Sequence, residues 1–303
     1  MSVIRTENLG KVYRGGVAAL ESLDLTVEAG EVFGFLGPNG AGKSTTIHLL
    51  LNFINATSGV AYLFGEPASK AASRRHLGYL PESVNLHTYY TGRDLLAFYA
   101  RLQDVPVNVR AGQIDDLLQL VGLQEAADQQ VSQYSKGMVQ RMGLAQALLG
   151  DPELVILDEP TANLDPVGRK EFRDILLNLK GQGKTIFISS HILSEVESVC
   201  DRVAILQQGR LLRAGSLEEL SRSPGARVVV GYLPGAATEA LAATRARIDL
   251  AQGQATIHCP DEQVQRQVSG LLERYGVAVE RVETEQQSLE EIFFAAIGKE
   301  GKA

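Results

Sequence analysis

The stretch Gly37-Pro38-Asn39-Gly40-Ala41-Gly42-Lys43-Ser44-Thr45 constrains this chain more than any other. It lies between an apolar run, Val32-Phe33-Gly34-Phe35-Leu36, and an apolar-periodic segment, Thr46-Ile47-His48-Leu49-Leu50-Leu51. A strand feeding a glycine-rich loop that opens a helix is the setting in which the pattern G-x-x-x-x-G-K-[ST] cradles phosphate. Glycines at 37, 40 and 42 let successive backbone N–H groups turn inward around an anion, and the helix N-terminus adds its partial positive charge at the same point. Lys43 would then reach the β and γ phosphates, and the Ser44 hydroxyl would hold Mg²⁺. The stretch implies binding of a nucleotide triphosphate.

A second run, Leu154-Val155-Ile156-Leu157-Asp158-Glu159-Pro160, reads as a fully buried strand ending in two carboxylates. The carboxyl end of a parallel strand is where an open α/β sheet places its ligand chemistry. Asp158 suits an indirect contact to Mg²⁺, through the ion's own ligands, and Glu159 could accept the proton of an attacking water. The strand Thr185 to Ser190 runs into His191 at the same kind of strand end, where an imidazole could contact the γ-phosphate. The strand Leu77-Gly78-Tyr79-Leu80 stops at Pro81 and puts Glu82 on a loop, within possible reach of a metal or a water. Tyr13 follows the first strand; its ring could stack on a nucleotide base if that loop folds back, or simply face solvent.

Tyr134-Ser135-Lys136-Gly137-Met138 opens a further helix, and Ser135 with Gly137 forms a second anion-seeking terminus. One copy with one phosphate loop has no use for two such ends, whereas two copies do if each presents its second end to the other's nucleotide. Between the two regions, Thr91-Gly92-Arg93-Asp94 has the form of a capping box, with Leu95, Phe98, Tyr99 and Leu102 at helical spacing after it. Ile114, Leu117, Leu118 and Val121 mark another helix ending at Gly122, and His87, Tyr89 and Tyr90 form an aromatic cluster that is either core or docking surface.

Composition excludes more than it identifies. The 303 residues suggest about two domains, and the net charge of -7 argues against a nucleic-acid or anionic-membrane surface. Cys200 and Cys259 have no ligand-type neighbours at zinc spacing and read as packed thiols. No stretch approaches the ~18 uninterrupted apolar residues of a spanning helix, and the N-terminus lacks a leader pattern. The expected location is the cytosol, with any membrane role supplied by a partner.

With these residues together, residues 1 to 215 resemble the ATP-binding subunits of ABC transporters: Walker A at Gly37 to Thr45, the Q-loop at Gly78 to Glu82, the signature at Tyr134 to Met138, Walker B at Leu154 to Glu159, the D-loop Asn163-Leu164-Asp165 and the switch histidine His191. The resemblance implies a P-loop NTPase fold, Mg²⁺ and ATP as ligands, and a homodimer that sandwiches each ATP between Walker A of one copy and Ser135 to Met138 of the other. It also implies base stacking by Tyr13 and a separate integral-membrane permease. The protein would then sit on the cytoplasmic face of the membrane through that permease. Tyr-Ser-Lys-Gly-Met in place of Leu-Ser-Gly-Gly-Gln, and Glu82 in place of glutamine, are similar to the branch of daunorubicin-resistance-type and cytochrome-c-maturation-type exporter ATPases. The alternatives are a non-transport ABC ATPase acting on nucleic acid or the ribosome, which usually carries two modules or a long coiled-coil insertion, and a small-molecule kinase, which would not need the signature.

The expected organisation is an α/β ABC ATPase domain over residues 1–220 with a helical subdomain at about 84–152, then a break at Ser223-Pro224-Gly225. After the break, residues 226–303 read as strand, helix, two hairpin strands, helix and strand. That order predicts a small α+β ferredoxin-like domain with a final helix appended. It carries no catalytic constellation.

Overall fold

A computed structural model describes residues 1–251 and 254–298. The chain divides into two compact units, Met1–Ser216 and Leu217–Ala303. The first unit begins with β1 (Ser2–Val12), β2 (Ala18–Glu28), β3 (Val32–Leu36), α1 (Lys43–Leu50), β4 (Ser58–Leu63), β5 (Glu66–Pro67) and β6 (Leu77–Leu80). Three helices follow, α2 (Gly92–Leu102), α3 (Val107–Leu120) and α4 (Lys136–Ala147), and the unit closes with β7 (Leu154–Asp158), α5 (Pro166–Gly181), β8 (Thr185–Ser190), α6 (Leu193–Val199), β9 (Arg202–Gln207) and β10 (Arg210–Ser216).

The central sheet has the order β10-β9-β3-β8-β7-β6, all parallel except for the β9–β10 hairpin. β3, β7 and β8 are buried at every residue, which is why they read as continuous apolar runs and not as alternating ones. Stacked Phe33 and Phe187, 5.9 Å between ring centroids, anchor the interior. A second, antiparallel sheet, β2-β1-β4-β5, shares this core through Ile4, Leu9, Leu20, Leu23 and Leu63. The alternation of buried and exposed residues along β2 gives that sheet its inner and outer faces.

The helices between β6 and β7 start where their caps are. Thr91 accepts a hydrogen bond from Asp94 N–H at 3.1 Å, and Ser135 accepts one from Met138 N–H at 3.2 Å. Ile114, Leu117 and Leu118 are buried along α3, and Val121 is buried just past its end. The buried stripe of α2 is Leu95, Leu96 and Ala100, and Leu102 is exposed because the helix ends one residue later at Gln103, where the face turns to solvent. The aromatic cluster is not core: Tyr89 is 91% exposed, His87 packs edge-on to Tyr90 and to Phe98, and Tyr90 stacks on Phe98 at the surface.

The second unit holds α7 (Leu217–Ser221), β11 (Arg222–Val230), α8 (Gly235–Ala242), β12 (Arg247–Ala251), β13 (Gln254–Cys259), α9 (Glu262–Arg274), β14 (Val279–Gln286) and α10 (Leu289–Gly298). Its sheet order is β12-β13-β11-β14, antiparallel throughout, the ferredoxin-like arrangement. Val228, Val230, Ala255 and Ile257 on one face of the sheet pack against Ala237, Leu241, Val264 and Val268 of α8 and α9. The break read at Ser223-Pro224-Gly225 is absent from the backbone: these residues lie inside β11, and the division between units falls earlier, after Ser216. Residues 252–253 and 299–303 of the expected C-terminal domain lie outside the described residues.

Candidate functional site

Register sets the site. In the central sheet Leu36 pairs with Ser190, Ser189 with Asp158, and Leu157 with Leu80. The glycine-rich loop, His191, Glu159 and Glu82 therefore leave the sheet from one edge, the carboxyl edge at which open α/β sheets bind ligands.

Two of the loop glycines are required by close approach. A Cβ on Gly37 would stand 2.4 Å from the carbonyl oxygen of Leu206, and one on Gly42 would stand 2.5 Å from that of Ala19, with Gly42 at a φ of +108° besides. Gly42 caps α1, and the first helical hydrogen bond runs from Thr46 N–H to Gly42 O at 2.9 Å. The N–H groups of Lys43, Ser44 and Thr45 precede that bond, so helix geometry directs them out of the helix end. This is an anion-binding terminus made of backbone.

Lys43 is buried, 6% exposed, and its ammonium is fully engaged. Nζ donates to Gly37 O at 2.7 Å and Pro38 O at 3.3 Å, and it lies 3.0 Å from Glu159 Oε1. The other oxygen of Glu159, Oε2, is 2.7 Å from His191 Nδ1. Glu159 itself sits at a φ of +46°, a left-handed conformation that costs a residue bearing a Cβ on the order of 1–2 kcal/mol. Its N–H is held by Ser189, at 2.9 Å to Oγ and 3.2 Å to the carbonyl oxygen. Asp158, 3% exposed, accepts at Oδ1 from Ser189 Oγ (2.7 Å) and from Ser44 Oγ (3.3 Å). Burial pushes the Tyr79 phenol up to about 12, with the Asp158 and Glu82 carboxylates adding to the shift, so the phenol stays protonated.

Of these groups, Lys43, Ser44, Glu82, Glu159 and His191 line a cavity of about 540 Å³ together with Tyr13, Asn39 and others, while Asp158 stands behind Ser44 outside that lining. That volume lies within the usual range of small-molecule sites. Tyr13 follows β1 directly, and its hydroxyl is 3.4 Å from Thr45 Oγ1 at the rim. Gly40, Ala41, Gly42, Ser44 and Thr45 line the same space, while Gly37 and Pro38 stand behind it as acceptors for Lys43. Ser135, Lys136, Gly137 and Met138 form the start of α4 and are not part of this lining. A larger open groove of about 1030 Å³, between α3 and the end of α5, contains none of these residues, and its lysine, Lys184, is already paired with Asp151 at 2.6 Å.

Sequence reasoning passed over Ser189, which joins Asp158 to the backbone of Glu159. The signal was a hydroxyl at the end of an otherwise apolar strand. Chemically, the arrangement offers a backbone cradle and one lysine for phosphate. It also offers a hydroxyl and a carboxylate as hard oxygen donors for a divalent cation, and a buried glutamate beside an imidazole for proton transfer.

The family described as ABC transporter matches residues 20–162. An uncharacterized ABC transporter ATP-binding protein of Nostoc sp. (strain PCC 7120) is 49% identical over 76% of this chain and 71% of its own length. The Nod factor export ATP-binding protein I of Burkholderia lata is 37% identical over 74% of this chain and 75% of its own. Among solved structures, cbiO1 of Clostridium perfringens, described as part of an ABC transporter complex, superposes with a TM-score of 0.67 at 27% identity. That match covers 72% of this chain and 90% of the neighbour. A glycine-rich loop, an acidic strand end and His191 on one sheet edge, with relatives of this identity and coverage, lead to one conclusion: the chain belongs to the ABC transporter family, as one of its ATP-binding, ATP-hydrolysing subunits.

Proposed function

We propose that this subunit hydrolyses ATP with Glu159 as the base and that it works as a pair of copies driving a separate membrane permease. The observation that carries the reading is the contact of one buried carboxylate, Glu159, with both the phosphate-loop lysine and His191 on the wall of a single cavity. In this scheme the loop N–H groups and Lys43 hold the β and γ phosphates, and Tyr13 stacks on the base at the rim. Ser44 and Asp158 hold Mg²⁺, with Glu82 beside them; their oxygen donors, 3.3 Å apart, suit that cation. Mg²⁺, when bound, neutralises phosphate charge. Water attacks the γ-phosphorus and gives its proton to Glu159, while the bond from that phosphorus to the bridging oxygen of ADP breaks, leaving ADP and inorganic phosphate. His191 holds the carboxylate in place and senses the γ-phosphate.

Ser135 to Met138 lie on another element than the cavity wall, and their capped helix end is a second anion site. A second copy that supplied them would complete the enclosure, which is the basis for the homodimer. No helix of the described residues is long and apolar enough to cross a membrane. The location proposed is the cytoplasmic face of the membrane, through the permease, and the direction proposed is export, as in the printed name of the Burkholderia relative. Residues 217–303 are proposed as an accessory unit. Glu159→Gln should convert the monomer to an ATP-dependent dimer on a sizing column; a variant that stays monomeric with saturating ATP and Mg²⁺ would refute the paired mechanism.

A further inference from the structure

Besides the Glu159–His191 contact, a second carboxylate ties the same two loops together. Two residues after Glu159, the hydroxyl of Thr161, buried at 4% exposure, donates to Glu195 Oε2. Glu195 lies in the first turn of α6, four residues beyond His191. Its other oxygen, Oε1, is buried, accepts no hydrogen bond and stands 3.6 Å from Arg169 Nε. Arg169 in turn donates from Nε to Leu164 O at 3.1 Å, and Leu164 N–H donates to Thr161 O at 3.1 Å. One side chain thus joins three segments: the turn 159–165, the first turns of α5, and the helix that follows the switch histidine.

The turn has reason to need such a tie. Its first residue, Glu159, is held at a φ of +46°, a conformation that persists only where surroundings over-determine it. From above, His191 grips the carboxylate at 2.7 Å. That contact cannot set the backbone, because His191 is 44% exposed and sits on a loop of its own. The Thr161–Glu195 contact can, because Thr161 is two residues from the strained position and fully enclosed. Arg169 extends the tie to Leu164 and through it to Asp165, which caps α5 by accepting from Gly168 N–H at 2.8 Å.

The geometry points to Glu195 as a positioning residue for hydrolysis: it fixes the turn that carries Glu159 against the helix that carries His191, and touches neither nucleotide nor water itself. This rests on the reading of Glu159 as the base. Loss of the tie lets the carboxylate drift while the phosphate loop, which belongs to other elements, keeps its shape. The turnover number suffers and nucleotide affinity does not.

The test is steady-state ATP hydrolysis and ADP binding by the purified full chain, as wild type, Glu195→Ala, Glu195→Gln, Thr161→Val, the double variant Thr161→Val/Glu195→Ala, and Glu159→Gln. A misplacement of about 1 Å is expected to lower kcat by roughly tenfold to a hundredfold in Glu195→Ala, with KM and ADP affinity within about threefold of wild type. Thr161→Val, nearly isosteric, should reproduce most of that loss, and the double variant should lose no more than Glu195→Ala alone, because both break one contact. Glu195→Gln, which can still accept from Thr161 but cannot pair with Arg169, should fall between. If kcat in both single variants stays within about twofold of wild type, or the losses multiply in the double variant, Glu195 does not position the base. A fall in kcat matched by an equal fall in ADP-binding sites would likewise reduce it to a folding role. Should Glu195→Ala fail to fold, Thr161→Val alone decides between these outcomes. Wild-type hydrolysis by Glu159→Gln would instead overturn the assignment of the base, a separate result.

Discussion

Replacing Glu159 by glutamine should tighten ADP binding, an effect distinct from its loss of hydrolysis. The Lys43 ammonium is shared among Gly37 O, Pro38 O and the Glu159 carboxylate, and both charged side chains are under 10% exposed, at 6% and 8%. Phosphate must draw Lys43 away from that carboxylate, and the contact it gives up is a charge-assisted one. Hydrogen bonds to charged groups contribute about 1.5–3 kcal/mol. Gly37 O and Pro38 O, at 2.7 and 3.3 Å, already share the ammonium with that carboxylate, which places the expected gain at the lower end of that range. A gain of about 1.5 kcal/mol is roughly a tenfold fall in Kd. The glutamine also removes a negative charge that would face the incoming phosphates, which acts in the same direction. ADP is the right probe, because it neither turns over nor requires the second copy. Isothermal titration at a protein concentration where the variant is monomeric reads the number directly. An unchanged or weaker ADP affinity would refute the claim that Glu159 holds Lys43 against its ligand.

Two further outcomes follow from local geometry. Gly42→Ala should be more destabilising than Gly40→Ala, although both positions have positive φ, because the new Cβ meets Ala19 O at 2.5 Å in the first case and nothing within 4 Å in the second. Overpacking typically costs about 1–3 kcal/mol, and thermal unfolding should show it as a Tm lower by roughly 2–4 °C per kcal/mol; equal Tm values would contradict the clash. In the second unit, a hydrogen bond from Val264 N–H, aided by the nearby Arg245, holds the Asp261 carboxyl below its usual value at the cap of α9. A depressed pKa stabilises the fold above the usual aspartate value of about 3.9 and loses that contribution as pH falls through the folded-state value. Asp261→Asn, which keeps a capping oxygen, should therefore unfold at lower temperature than wild type near neutral pH and converge with it in strong acid.

What could be read from the chain before its structure was local. The loop 37–45 announces itself because its glycines, lysine and hydroxyls act within a nine-residue stretch, and the acidic end of β7 because an apolar run stops at charge. The ferredoxin-like order was readable too, since α9 and the strands around it keep clean helical and alternating periods. Ser189, Thr161 and Glu195 were not, because their meaning lies in partners on other loops, 31 residues apart for Ser189 with Asp158 and 34 for Thr161 with Glu195. The break inferred at Pro224-Gly225 failed for a related reason. Proline and glycine are compatible with a strand where the ladder is irregular, and the pairing of β11 with β14 shifts between Arg222 and Ala226.

The pairing of Leu36 with Ser190, Ser189 with Asp158 and Leu157 with Leu80 makes the sheet a ruler. Sliding any one of these strands by a residue would carry its loop about 3.3 Å along the sheet and turn every side chain to the opposite face. The spacing among lysine, glutamate and histidine is therefore inherited from hydrogen bonds of residues that never meet a nucleotide. Lengthening the loops that face solvent should leave that spacing intact, whereas deleting one residue inside β7 or β8 should scatter the reacting groups without touching any of them.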